Sequence, residues 1–250
     1  MLHAVIGDVH GCADEYSTLL DELENQFPGI KIIQVGDLIH KGPSSNDCVT
    51  LTRERVNTLV LGNHELKHLR WLGWEAKIAD TPKTNPMKNV SSYPDVQLSD
   101  INVDYLKQGR LYYQSNNLVV IHAGVLSSVQ RLPTCSKYFE LEKKQQNYYK
   151  TMTMTRFENL AGKMVPLGCE TPEDTWWAAK YDGRFGYAVY GHQHTLAAEP
   201  VEYPHALGID LGCVYGGYLC AVIVSDGMAV ETVKISAAQQ YCQPLNWSKK

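Results

Sequence analysis

Near the start of the chain, Asp8 and His10 stand two residues apart between Gly7 and Gly11. On an extended backbone side chains alternate between faces, so this carboxylate and this imidazole point the same way. A carboxylate oxygen and a ring nitrogen converging on one point suit a borderline divalent cation. The same punctuation recurs downstream as GDLIHKGP (36–43), GNHE (62–65), HAG (122–124) and GHQH (191–194). Each follows an apolar run, and together they bring in Asp37, Asn63, His122, His192 and His194. Any one of these residues alone is most simply read as capping a helix or closing a turn. Gathered at one edge of a fold, they would line a metal-binding cleft.

Gathering them is the task of the intervening elements. Short apolar runs, LHAVI, KIIQV, VNTLVL, LVVIH, YAVY, ALGIDL and LCAVIV, read as strands. Between the early runs lie helix-like segments such as DEYSTLLDELEN, with Asp14 placed as a cap and Leu19, Leu20 and Leu23 on one side. This alternation predicts α/β layering around parallel strands, whose carboxyl ends share one edge where ligands bind. From Ala206 to Ile235 three strand-like runs are separated by Gly-rich turns, which predicts antiparallel strands in a second sheet packed on the first. Residues 80–97, carrying Pro82, Pro86 and Pro94, read as a surface loop. Residues 130–172 read as an insertion between motif-bearing strands, with a polar helix from Ser136 to Lys150, placed to cover the site. The expected organisation is a single domain, 1–250, with that insertion.

At 250 residues, 44% hydrophobic and 20% charged, the chain is long enough to bury a sizeable core. Its formal net charge of −4 and the lack of a basic stripe argue against general nucleic-acid binding, so any polyanionic substrate must be held locally. No apolar run approaches the roughly 18 residues of a membrane helix, and LHAVIGD lacks the features of a signal peptide. Seven cysteines without a C-x-x-C pair read as small buried apolar residues in a reducing compartment, which makes the expected location cytoplasmic.

The ordered series GDVHG, GDLIHKG, GNHE, HAG and GH resembles the calcineurin-like metallophosphoesterases. GDVHGC, LIHKGP, the W-x-x-x-Y-x-G stretch WAAKYDG and IDLGCVYGG are most similar to symmetrical diadenosine tetraphosphatases and tetraphosphatase-like serine/threonine phosphatases. The likeness runs from about Val5 to Val224 and is weakest in the insertion and the proline-rich loop. It implies a four-layer α/β/β/α sandwich of two mixed sheets flanked by helices. It also implies two divalent metal ions, manganese first, with iron, zinc or cobalt as alternatives. Asp8 and His10 would hold one ion, Asn63, His122 and His192 the other, and Asp37 would bridge them, with His194 adding to the first. His64 matches the family's catalytic histidine, and Lys41 and Arg156 would grip substrate phosphate.

Such a pair of ions acidifies a shared water and neutralises the attacked phosphoryl group. The resemblance therefore implies symmetrical hydrolysis of bis(5'-nucleosyl) tetraphosphates by a metal-bridging hydroxide. A serine/threonine protein phosphatase, or a polyphosphate or RNA-cap pyrophosphohydrolase on the same core, is the alternative. An inactive nucleotide-binding module is disfavoured because no ligand is missing. The expected partner is thus a phosphate-containing substrate, a dinucleoside polyphosphate or a phosphoprotein, and not a membrane. One departure stands out: protein phosphatases carry Asp-Arg where this chain has His40-Lys41, so the carboxylate that orients the catalytic histidine is absent from its usual place. Outside the motifs, Arg184 is a lesser candidate for a second phosphate, and Trp71, Trp74, Trp176 or Trp177 could stack on a base. His3, His68 and His205 read as structural or surface histidines.

Overall fold

The computed structural model describes residues 2–75 and 96–244. In chain order the strands are β1 (Leu2–Ile6), β2 (Lys31–Gln34), β3 (Thr58–Leu59), β4 (Tyr112–Ser115), β5 (Leu118–Ile121), β6 (Phe157–Glu158), β7 (Met164–Val165), β8 (Thr175–Trp176), β9 (Tyr187–Tyr190), β10 (Val201–Tyr203), β11 (Ala206–Gly208), β12 (Tyr218–Ser225) and β13 (Met228–Ser236). The α-helices are α1 (Ala13–Gln26), α2 (Ser45–Arg55), α3 (Asn63–Glu75), α4 (Asp100–Leu106), α5 (Lys143–Tyr149) and α6 (Trp177–Lys180). None of these helices is long and apolar enough to cross a membrane.

Two five-stranded mixed sheets form the frame, in the orders β13-β12-β1-β2-β3 and β10-β11-β9-β5-β4. In the first, β1, β2 and β3 run parallel. In the second, β5, β9 and β11 do. Period-two alternation sorts their side chains. Val5, Ile33 and Val222 of the first sheet share a buried cluster with Leu118, Val120, Val189 and Leu207 of the second, which is the seam between the sheets. Their neighbours Ala4, Ile6 and Ile32 face outward on the side of Tyr16, Leu19, Leu20 and Leu23 of α1, and Val119, Ile121 and Ala188 face outward on the other side, where Trp177 of α6 packs on Tyr190. The result is the expected α/β/β/α layering, with the carboxyl ends of β1, β2, β3, β5 and β9 left to present the motifs.

The end of the chain departs from its reading. Only β11 joins the second sheet, and it pairs parallel to β9. The β12–β13 hairpin, closed at Asp226-Gly227, extends the first sheet antiparallel to β1. The Gly-rich stretch between β11 and β12 is therefore a crossing from one sheet to the other, which turn chemistry alone does not distinguish from a hairpin. Asp14 is also no cap: Cys12 holds that position without a side-chain bond, and Asp14 lies in the first turn, where its charge complements the helix dipole.

In the insertion, the single polar helix from Ser136 to Lys150 is broken into a 3-10 turn at Tyr138–Glu140 and α5, which starts at a capping box between Glu142 and Gln145. A second 3-10 turn, Lys150–Thr153, leads to a small three-stranded sheet in the order β7-β6-β8. That sheet takes in Trp176, beyond the expected boundary at residue 172. The expected loop at 80–97 falls almost wholly outside the described residues, as does the side chain of Trp74.

Trp177 is 1% exposed and packs edge-on against Tyr190, with ring centroids 4.9 Å apart. It is a core residue rather than a base-stacking platform. Its indole lies over Gly124, two residues after His122. A Cβ on Gly124 would meet Trp177 Nε1 at 2.5 Å. Gly124→Ala is therefore expected to destabilise the fold by about 1–3 kcal/mol through overpacking, read as a lower denaturant midpoint at unchanged slope.

Candidate metal centre

The loops after β1 and β2 are stitched together by backbone bonds. The N–H groups of Val9 and His10 donate to Asp37 O at 3.2 and 2.8 Å, and that of Gly11 donates to Leu38 O at 2.8 Å. Within them the chain adopts the left-handed region at residues that ordinarily avoid it: His10 (φ 49°), Asp37 (φ 54°), His40 (φ 71°) and Lys41 (φ 72°), joined across the cleft by His192 (φ 69°). Such backbone persists only where the surroundings over-determine it, and it gathers at functional sites. Glu65 supplies much of that constraint. Its fully buried carboxylate accepts the N–H groups of Asp37 and Gly62 on one oxygen (2.8 and 2.9 Å) and those of Leu38 and Ile39 on the other (2.8 and 3.4 Å). Burial and the neighbouring Asp37 push its pKa up to about 7.

Asp37 lies at the centre. Its Oδ2 is 3.4 Å from His122 Nε2, 3.6 Å from His10 Nε2 and 3.9 Å from His64 Nε2. Its Oδ1 accepts the backbone N–H of His64 at 3.0 Å. Burial opposes its charge, but His122, His64 and His10 outweigh this and hold the carboxyl well below its usual range. On the far side, both Asp8 oxygens accept the His192 N–H at 3.1 Å, and Asp8 Oδ2 is 3.9 Å from His10 Nε2. Burial, Asp210 and Asp37 raise the Asp8 pKa.

The histidines are presented as ligands. A carbonyl oxygen can only accept, so Nδ1 of His122 donates to Val35 O at 2.9 Å and Nδ1 of His10 donates to Ile39 O at 3.2 Å. Each bond turns Nε2 inward, the way an outer partner fixes a metal-bound imidazole. His122 Nε2 then lies 3.2 Å from Asn63 Oδ1, and His192 Nε2 is buried without a hydrogen-bond partner. Burial lowers the pKa values of His10, His64 and His192. At His122 burial acts the same way, but Asp37 prevails and the pKa rises. His10 Nε2 already faces a cation, Lys41 Nζ at 2.7 Å.

Ligand atoms lie within 4.8 Å of one another in two groups that share Asp37: His10, Asp37 and His64, and Asp37, His122 and His192. These residues fit divalent ions, with neutral imidazoles and a carboxylate converging and an orphaned nitrogen among them. The structure also brings Asp8 and Asn63 to the cluster. His194 falls in neither group. Its ring packs on Tyr215, with centroids 4.4 Å apart, and interacts with the buried Asp210.

The cluster opens into a cavity of about 400 Å³, whose floor includes Asp37, Asn63, His64 and His192. Lys41 and Arg156 line it, and Met154 with Met164 to Leu167 form an apolar wall contributed by the insertion. Arg156 is held by Gln193 Oε1 at 2.5 Å and His192 O at 3.4 Å. Arg184 lies elsewhere, in a bidentate pair with Asp182. None of the described tryptophans lines the cavity. Glu65, Asp210 and Tyr215 all lie in quoted motifs, yet carried no assigned role. What marks them is three-dimensional, because each acts on a neighbour distant in sequence.

Residues 1–196 match the family model of calcineurin-like phosphoesterases. The chain is 28% identical to the asymmetrical bis(5'-nucleosyl)-tetraphosphatase PrpE of Halalkalibacterium halodurans over 94% of both chains. It is 27% identical to the enzyme of that name from Bacillus subtilis over 96% of this chain and 97% of the other. Its fold superposes with a TM-score of 0.66 on a crystal structure provisionally named a diadenosine tetraphosphatase, at 25% identity over 94% and 93% of the two chains. A metallophosphoesterase from Sphaerobacter thermophilus shares the fold at a TM-score of 0.53 and 16% identity, covering 95% of this chain and 89% of that one.

Two outcomes follow from the geometry. Asp37→Asn removes the charge common to both groups and is expected to weaken divalent-ion binding beyond the roughly 10–100-fold cost of losing an outer partner, measured as metal retained after dialysis. Glu65→Gln turns an amide N–H toward backbone N–H donors and is expected to cost about 1–3 kcal/mol in unfolding free energy.

Proposed function

The chain belongs to the calcineurin-like phosphoesterases, and from that premise we propose that this hydrolase acts on the phosphoanhydride chain of bis(5'-nucleosyl) tetraphosphates. The observation that carries the reading is one cavity with three kinds of wall. It is lined by Asp37, Asn63, His64 and His192 of the cluster, by the cations Lys41 and Arg156, and by Met154 and Met164 to Leu167. Cations beyond the reacting centre suit a substrate with further phosphates, and an apolar surface suits a nucleoside at the end of the chain.

In this reading Asp8 and His10 would hold one divalent ion and Asn63, His122 and His192 a second, with Asp37 serving both, and His194, which lines the same cavity, would add to the first. Such ions would acidify water and neutralise charge on the attacked phosphoryl group. The protein's own groups do the rest. Lys41 provides a point charge for a phosphate oxygen, without the fork of an arginine. Arg156, fixed by Gln193 and the His192 carbonyl, offers its remaining N–H groups to a second phosphate. His64 gives a proton from Nε2 to the departing phosphate oxygen. The seven free thiols suit a reducing cytoplasm.

The position of the cut is where the reading changes. The sequence motifs point to symmetrical cleavage, whereas the relatives matched over nearly their whole length are named for the asymmetrical reaction. Nothing in the cluster favours the middle anhydride over an outer one, so the asymmetrical cut is the one we carry forward. With diadenosine tetraphosphate, chromatography of the products is expected to give ATP and AMP. Two ADP would restore symmetrical cleavage. A higher ratio of kcat to KM on a phosphopeptide, polyphosphate or capped RNA would overturn the substrate class. His64→Asn is expected to lower turnover by about 10²–10⁴-fold with the metal content intact, and loss of metal instead would make His64 a ligand.

A further inference from the structure

His64 lies at the start of α3, and its side chain meets a partner that the sequence does not announce. His64 Nδ1 is 2.9 Å from Nδ1 of His40, with ring centroids 5.0 Å apart. Both rings are buried, at 7% and 1% exposure. His40 reaches this position from a strained loop. It and Lys41 are consecutive left-handed residues, at φ 71° and 72°. The His40 N–H is taken by Ser45 Oγ at 3.0 Å, and its carbonyl accepts from Gly42 N–H at 3.0 Å. On its other side the His40 ring meets His68 edge-on at 5.6 Å, and His68 in turn packs on Trp71 at 5.9 Å. His64 and His68 are four residues apart on one face of α3, so the His40 ring is wedged between successive turns of that helix. His68, read from sequence as an ordinary flank residue, is the back wall of this wedge and is 3% exposed.

The chemistry of the contact is restrictive. A hydrogen bond between two ring nitrogens needs a proton on one and a lone pair on the other. A histidine that gives up a proton from Nε2 does so as the imidazolium, so the donor across this contact is His64: its Nδ1–H is taken by the bare Nδ1 of His40, and its Nε2 is the nitrogen that faces Asp37 Oδ2 at 3.9 Å. We propose that His40 is a positioning residue for His64: by accepting from His64 Nδ1–H and wedging against His68, the His40 ring fixes the His64 ring with its Nε2 turned toward the reacting centre. This assigns to an imidazole the orienting role whose carboxylate is absent at this position, and it rests on the reading of His64 as proton donor to the leaving group. The strain at residues 40 and 41 is then explained as the means of bringing this ring onto α3.

The test uses two variants chosen for the backbone. Glycine occupies the left-handed region without penalty, so His40→Gly removes the ring without adding strain. Asparagine also tolerates that region and offers both a donor and an acceptor to His64 Nδ1, so His40→Asn is the conservative replacement. In the full-length protein labelled with ¹⁵N-histidine, with the His64 signals identified by their loss in His64→Asn, long-range ¹H–¹⁵N correlation is expected to show a fixed proton on Nδ1. His40→Gly should give averaged tautomers and His40→Asn should restore the single one. In parallel, kcat is compared on phenyl phosphate, whose leaving group needs a proton, and p-nitrophenyl phosphate, whose leaving group does not. His40→Gly should lower the first by about tenfold or more and the second by less than about threefold, with metal content unchanged and substantial recovery in His40→Asn. The double variant His40→Gly/His64→Asn should be no slower than His64→Asn alone.

An unchanged His64 tautomer in His40→Gly, an equal fall on both phosphates, or an additive loss in the double variant would overturn the proposal. A different failure marks the reading beneath it: if His64→Asn loses equally on both phosphates, His64 is not the proton donor, and the tautomer measurement still decides whether His40 fixes its ring.

Discussion

One buried carboxylate sets the terms for the rest of the molecule. Asp37 is held in left-handed backbone with its charge retained, and the three imidazoles of His10, His64 and His122 approach a single oxygen of it. An isolated charge in such a place would be expelled or neutralised, so it survives only because cations or cation-seeking groups surround it. The backbone amide of Asp37 is fixed by Glu65, and its carbonyl is fixed by the amides of Val9 and His10. The residue that attracts the charge is therefore also the one that registers three loops against each other.

The layered fold makes that registration possible at a distance. Asp8, Asp37 and Asn63 follow strands of the first sheet, whereas His122 and His192 follow strands of the second. Their separation is set by how the two inner faces interlock through Val5, Ile33, Val120, Val189 and their neighbours. Close-packed interiors deform little, so a site split between two sheets inherits the rigidity of the seam below it. Trp177 over Gly124 continues the same logic at the rim, holding the backbone just after His122.

Outside this frame the chain is freer, and there it differs from a generic core. The insertion spends its length on a 3-10 turn, a short helix and a small sheet that together bring Met154 and Met164 to Leu167 over the cluster. The cluster of carboxylates and imidazoles and the apolar lining of the cavity thus come from different parts of the sequence.

The frame was legible in the sequence alone, and so were the residues of the cluster. Short apolar runs, most of them followed by glycine and a polar residue, predicted the layers, and the motifs singled out Asp8, His10, Asp37, Asn63, His122 and His192, which the fold brings together. These features are local: a strand's alternation and the residue at its end are written in consecutive letters. Tertiary structure decided what depends on which elements become neighbours. The reading of Ala206–Ile235 misplaced β12 and β13 because glycine-rich turns look alike whether they close a hairpin or cross between sheets. The expected helix from Ser136 to Lys150 is interrupted between the 3-10 turn at Tyr138–Glu140 and the capping box of Glu142 and Gln145 that starts α5. His194 was added to the first site by resemblance, and only the fold shows its ring packed on Tyr215 in the lining of the same cavity. Conversely, His40 looked like the loss of a needed carboxylate, and only the fold brought its Nδ1 to that of His64. Strand patterns come from the chain's own periodicity, whereas such pairings come from long-range packing that forces a few residues into backbone they would not adopt alone.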